Sequence, residues 1–204
     1  MKTDFKKTFP GYKARLGKFE IIDLPEMRYL MISGGGGPAS EDYASAITTL
    51  YPLAYALKFA SKRQLERDYV VPPLEALWWA DDMAAFTSNF DQSQWLWTAM
   101  LMVPDWISQE FYLEVRERVA ASGKTPDLEK LELKTLDEGK VVQTLHIGPY
   151  AQEGPLLAKL HDEFIPQNNL QMTGHHHEIY FNDFRKTAPE KLRTILRQPV
   201  RALR

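Results

Sequence analysis

Residues 141–154, VVQTLHIGPYAQEG, hold the arrangement that decides the fold: a β-branched run, a Gly-Pro turn and the start of a helix. Residues 29–43, YLMISGGGGPASEDY, have the same order. Each copy leads through helical sequence into a strand, LEALWW (74–79) in the first and HHEIYF (176–181) in the second. The first copy is longer between Pro38 and Glu75 than the second is between Pro149 and Glu178, and SKRQLERD (61–68) accommodates the excess as a loop. The repeat predicts an α+β fold of duplicated β-α-β-β units in a single domain over 1–204, with pseudo-repeats at about 19–103 and about 130–198. Two such units form one antiparallel sheet, with helices on one face and a ligand groove on the other.

Local signals fill in this outline. Ser40 is the expected N-cap of the first helix, and Pro52 predicts a kink or break within it. LEKLELKTLDEGKVVQTLHIG (128–148) reads as two strands around the turn Asp137-Glu138-Gly139. TAPEKLRTILRQPV (187–200) opens with a capping box, Thr187 to Glu190, and predicts a helix that stops before Pro199 with its arginines on a solvated face.

Composition narrows the class. With 44% hydrophobic and 25% charged residues the chain is an ordinary soluble globular protein, and a formal net charge of -2 offers no field for nucleic acid or anionic membrane. No cysteine is present, so thiolate ligands, disulfides and a cysteine nucleophile are excluded. The basic N-terminus lacks the apolar run of a signal peptide, and no window approaches the roughly 20 apolar residues of a membrane span. A cytoplasmic location is expected.

Strand alternation places His176, Glu178 and Tyr180 on one face and His175, His177, Ile179 and Phe181 on the other. Ile179 and Phe181 suit packing under the helices, which leaves the Glu178 face as the groove. A mid-strand glutamate between isoleucine and tyrosine calls for a partner or a ligand, and Glu75 stands at the duplicate position. Adjacent strand histidines diverge, so at most His175 with His177, or His176 with Glu178, could share an ion, and no metal site is expected. GGGGPASED (34–42) lacks the lysine and the spaced glycines of phosphate loops. The tryptophans, clustered at Trp78, Trp79, Trp95, Trp97 and Trp106, either fill the core or wall a pocket for a flat apolar ligand.

LHIGPY (145–150), GHHHEIYFND (174–183), TAPEKLRTILRQPV and, upstream, DYVVPPLEALWW (68–79) together resemble the GyrI-like small-molecule-binding family over nearly the whole chain. The resemblance implies a duplicated fold with an aromatic cleft, no cofactor and a small molecule as partner. The family's central glutamate falls on Glu178, the tyrosine of its DYVVPP motif on Tyr69, and its paired tryptophans on Trp78 and Trp79. Glu178 is then the expected general base and Tyr69 a hydrogen-bond donor, with Trp78, Trp79, Trp97, Tyr180, His176 and Glu75 around the ligand. The implied function is binding of flat, apolar, electrophilic xenobiotics, including hydrolysis of cyclopropanoid DNA alkylators by glutamate-activated water. The alternative is a non-catalytic drug-sequestering or sensing module for lipophilic cations.

Overall fold

The computed structural model describes residues 2–123 and 125–203. Its first half runs β1 (Lys2–Thr3), α1 (Phe5–Thr8), β2 (Glu20–Asp23), β3 (Met27–Gly35), α2 (Glu41–Gln64), β4 (Asp68–Tyr69), β5 (Leu74–Trp79) and β6 (Leu96–Val103). The second half runs α3 (Gln109–Ala121), β7 (Glu132–Leu136), β8 (Lys140–Ile147), α4 (Gly154–Ala158), a π-helical stretch (Lys159–Phe164), α5 (Ile165–Gln167), β9 (Leu170–Met172), β10 (His176–Tyr180) and β11 (Arg193–Ala202). Nine strands form one antiparallel sheet, while β1 and β4 pair in parallel apart from it. The chain divides into two compact units, with the boundary inside β5.

The first unit holds β3, β6 and β7 with α2 and α3. Here β3 is central, pairing with β6 on one side and β7 on the other. The Ser40 hydroxyl accepts from the Tyr43 N–H as an N-cap should. Of the kink or break expected at Pro52, the break does not occur: α2 continues through it, because Leu50, Leu53 and Leu57 are fully buried on both sides. Each such leucine contributes about 1.5–3 kcal/mol, comparable with the roughly 3 kcal/mol that an interior proline costs. The helix also absorbs Ser61–Gln64, so half of the expected loop is its last turn.

The second unit takes Lys6–Glu26, Pro73–Leu77 and the chain from Asp137 onward. The Asp137-Glu138-Gly139 turn lies where it was expected, but it does not close a hairpin: β7 pairs with β3, whereas β8 pairs with β2 and β11. The predicted C-terminal helix is a strand. β11 lies between β8 and β10, and only Pro189–Lys191 forms a helical turn. Its β-branched Thr194, Ile195 and Val200 suit a pleated sheet, and two neighbouring strands supply more backbone pairing than a lone amphipathic helix would gain. Pro199 has no N–H to give the ladder. It lies beside Gly174, at φ +58°, in the gap between β9 and β10, where its carbonyl still accepts from the Thr173 N–H.

Both faces of this part of the sheet are covered. Val142 and Val200 pack against Leu160, Ile165 and Leu170. Across the register, Val142 shares its side with Thr144, Leu196 and Glu178. The helical segment 154–167 therefore lies on the Glu178 side, not behind Ile179 as the sequence reading had it. The Ile179 side is taken by the stretch from Phe9 to Lys13: Arg197 and Gln143 donate to the Gly11 and Lys13 carbonyls, and the Tyr12 ring meets Phe181 edge-on at 6.4 Å.

Candidate functional site

Two polar clusters occupy opposite sides of the sheet in the second unit. On the Ile179 side, His177 is fully buried and stands 2.9 Å from both Glu75 Oε2, through Nε2, and Glu138 Oε1, through Nδ1. Arg197, also fully buried, donates to Glu138 Oε2 at 2.8 Å, to Gln143 Oε1 at 3.2 Å and to the Gly11 carbonyl at 2.6 Å. The Tyr12 hydroxyl donates to Glu75 Oε1 at 2.5 Å. Two carboxyl groups thus face an arginine and a histidine inside the fold. Burial works to raise the Glu138 carboxyl, but the charges and hydrogen bonds of His177 and Arg197 hold it down at about 2. Burial likewise opposes charge on His177, and Glu138 and Glu75 overcome it, raising the imidazole above its ordinary value. This cluster is closed to solvent and ties residues 11–12 to the sheet.

The second cluster lies beneath the helical segment and contains Glu178, whose side chain is 15% exposed. His176 Nε2 approaches Glu178 Oε1 at 3.4 Å without the alignment of a hydrogen bond. The rings of Tyr150 and Tyr180 meet edge-on at 5.7 Å, and those of His161 and His176 at 6.0 Å. Glu153, 4% exposed at the entrance to α4, completes the set. Burial first, and then the Glu178 charge, push the Glu153 carboxyl up to about 9. Burial, helped by Glu178, Glu153 and Asp183, pushes the Tyr150 phenol up to about 12. His161 is driven down to about 4 by burial and by its neighbour His176.

Several buried polar atoms here have no hydrogen-bond partner among the described residues: Thr144 Oγ1, Thr194 Oγ1, Glu153 Oε1, His161 Nε2 and both ring nitrogens of His176. Thr194 lies beside Glu153 but in no well-aligned bond. Each unsatisfied group costs about 1–3 kcal/mol, and natural folds concentrate such costs where a ligand or water meets them.

The residues singled out in the sequence are distributed as follows. His176, Glu178 and Tyr180 share one side of β10, as alternation required. Glu75 belongs with His177 on the other side and is fully buried, so it is not the structural counterpart of Glu178. Tyr69, Trp78, Trp79 and Trp97 lie in the first unit. Trp78 and Trp97 are buried, each with its ring against Tyr43 of α2, and Trp97 also lies over Gly34. Trp79 is half-buried. Tyr69 is buried beside Trp106, its hydroxyl has no hydrogen-bond partner, and burial raises its phenol. Sequence reasoning missed Glu153, Glu138, Arg197 and Tyr12. Glu153 carried one usable signal, its place three residues after Tyr150 at the start of a helix.

Among the described residues no group of three or more His, Cys, Asp or Glu side chains is arranged to hold a metal ion. No helix among them is long and apolar enough to cross a membrane.

A family model described as the GyrI-like small molecule binding domain matches residues 17–201. A conserved protein of uncharacterised role from Listeria innocua is 38% identical, with a TM-score of 0.88 over 98% of this chain and 100% of its own. A hydrolase from Listeria innocua is 37% identical, with a TM-score of 0.84 over the same shares. The C-terminal domain of EcmrR, at 11% identity and a TM-score of 0.54 over 91% of this chain and 98% of its own, shares the fold. No curated protein sequence matches the chain.

Proposed function

The chain belongs to the GyrI-like small molecule binding domain family, and on that premise we propose that it binds flat, apolar, electrophilic xenobiotics and hydrolyses them. Glu178 is the general base. In the reaction proposed for a cyclopropane-bearing alkylator, the water oxygen bonds to a cyclopropane carbon as Glu178 takes the water proton. The ring C–C bond breaks, and its electron pair moves to the conjugated oxygen of the ligand. The observation that carries this reading is a carboxylate left partly accessible in mid-strand, among buried donors and acceptors that have no protein partner. Two neighbours at 36–37% identity described as hydrolases support it.

The test follows disappearance of a cyclopropanoid alkylator by chromatography. Glu178→Gln should slow it by about 100-fold or more, and turnover equal to wild type would sink the general base. The Tyr150–Tyr180 pair beside Glu178 favours a second reading, capture of a lipophilic cation without chemistry. Saturable tryptophan quenching by a cationic dye, with every ligand recovered unchanged, would select it.

A further inference from the structure

We propose that Glu153, a buried carboxyl on the same polar cluster as Glu178, is the general acid that works with it. This rests on the reading of Glu178 as base and adds the residue that protonates the ligand oxygen receiving the ring electrons.

The geometry fixes Glu153 firmly. Its N–H donates to the Tyr150 carbonyl at 3.1 Å, and its own carbonyl accepts from the N–H groups of Leu156 and Leu157 at 2.9 Å. The backbone is thereby locked across the turn into α4, and the side chain is directed into the protein. That side chain caps no helical N–H and makes no ion pair among the described residues, and Oε1 meets no donor. The groups that act on it are Thr194 of β11 and Glu178 of β10, and Tyr150, three residues before it, meets Tyr180 of β10 ring to ring. Neither lysine nor arginine is among them. His161, held down near 4, brings no positive charge at neutral pH, and Tyr150, near 12, brings no negative one. A second buried carboxylate beside Glu178 would be a like-charge pair without a counter-ion, so the proton stays on Glu153 until about pH 9. Paired titratable groups whose surroundings drive their affinities for protons apart are the usual mark of an acid and a base in one site.

The balance of the step suits this pair. Water forms the new C–O bond and gives one proton to Glu178, while Glu153 gives its proton to the oxygen that received the ring electrons. The products are an alcohol and a neutral hydroxyl on the opened ligand. The pair still holds one proton, now on Glu178, and its return to Glu153 readies the site without a net change of charge.

The experiment has two readouts on the full chain. Isotope-edited infrared spectra of glutamate-labelled protein report the protonated-carboxyl stretch, and hydrolysis of a cyclopropanoid alkylator is followed over pH. The expected result is a protonated carboxyl in the wild type at neutral pH that vanishes near pH 9 and is missing in Glu153→Gln. In Glu178→Gln its titration should move to lower pH, because the neighbouring charge is gone. Glu153→Gln should lower kcat by about 100-fold with KM little changed and abolish the alkaline limb of the profile, while Glu153→Asp should recover part of the rate. A wild type that hydrolyses the probe with no protonated carboxyl at neutral pH overturns the acid alone. So does Glu153→Gln turning over at the wild-type rate. A wild type that shows the protonated carboxyl yet hydrolyses nothing overturns hydrolysis, and the acid role with it.

Discussion

Replacing Glu138 by glutamine tests how the buried charges on the Ile179 side hold the fold together. The substitution keeps the shape of the side chain and removes the charge that faces Arg197 and His177. His177 and Arg197 hold the wild-type carboxyl down at about 2 in the folded protein, against an ordinary 4.5. At pH 6 that difference corresponds to about 3 kcal/mol of stability, at about 1.4 kcal/mol for each unit. Loss of one member of a buried ion network gives the same scale, about 3–5 kcal/mol. A depressed carboxyl contributes fully above its unfolded value and loses its contribution as pH falls towards the folded one. The gap between wild type and Glu138→Gln should therefore narrow to about 2 kcal/mol near pH 3.5 and largely close near pH 2. Urea unfolding followed by tryptophan fluorescence, with matched m-values at each pH, measures it. A gap below about 1 kcal/mol at pH 6, or one that stays constant with pH, refutes the network as a stabilising unit.

Three further outcomes are expected. Wild-type stability should fall between about pH 4.5 and 9, because raised groups contribute fully only below their unfolded values and lose that contribution as pH rises through their folded ones. The groups are His177, raised above 6.5, and Glu153, raised to about 9. Thermal unfolding at pH 8–9 should show Glu153→Gln above wild type, since glutamine is neutral in both states. Gly34→Ala should cost about 1–3 kcal/mol, because the added methyl would lie 2.5 Å from the Trp97 ring and overpack the core; an unchanged urea midpoint would contradict this. Tyr69→Phe removes a buried hydroxyl that has no partner among the described residues, so Tm should hold or rise, and a fall of several degrees would contradict this.

Much of the local structure was legible because it depends on neighbours in sequence. Ser40 caps α2 through the N–H three residues on, and alternation along β10 sorted His176, Glu178 and Tyr180 from His177 and Ile179. Which side of β10 the helix would cover was not legible. Both sides of that strand carry groups able to face packing, and the stretch from Phe9 to Lys13, which takes the Ile179 side, had no periodicity to announce itself. The capping-box signature at Thr187 was real chemistry outweighed by pairing on both edges of β11.

The sequence by itself determined the repeated β-α-β-β order, the antiparallel sheet and the strand that carries Glu178, since periodicity, turn residues and caps act over a few residues. Only the tertiary structure decided that Arg197 is buried against Glu138 rather than solvated. Tertiary packing also turned Glu75 to His177 and set Glu153 beside Glu178. A side chain's charge state and partner depend on what packs against it from distant parts of the chain, and burial of a charge has no signature in its neighbours along the sequence.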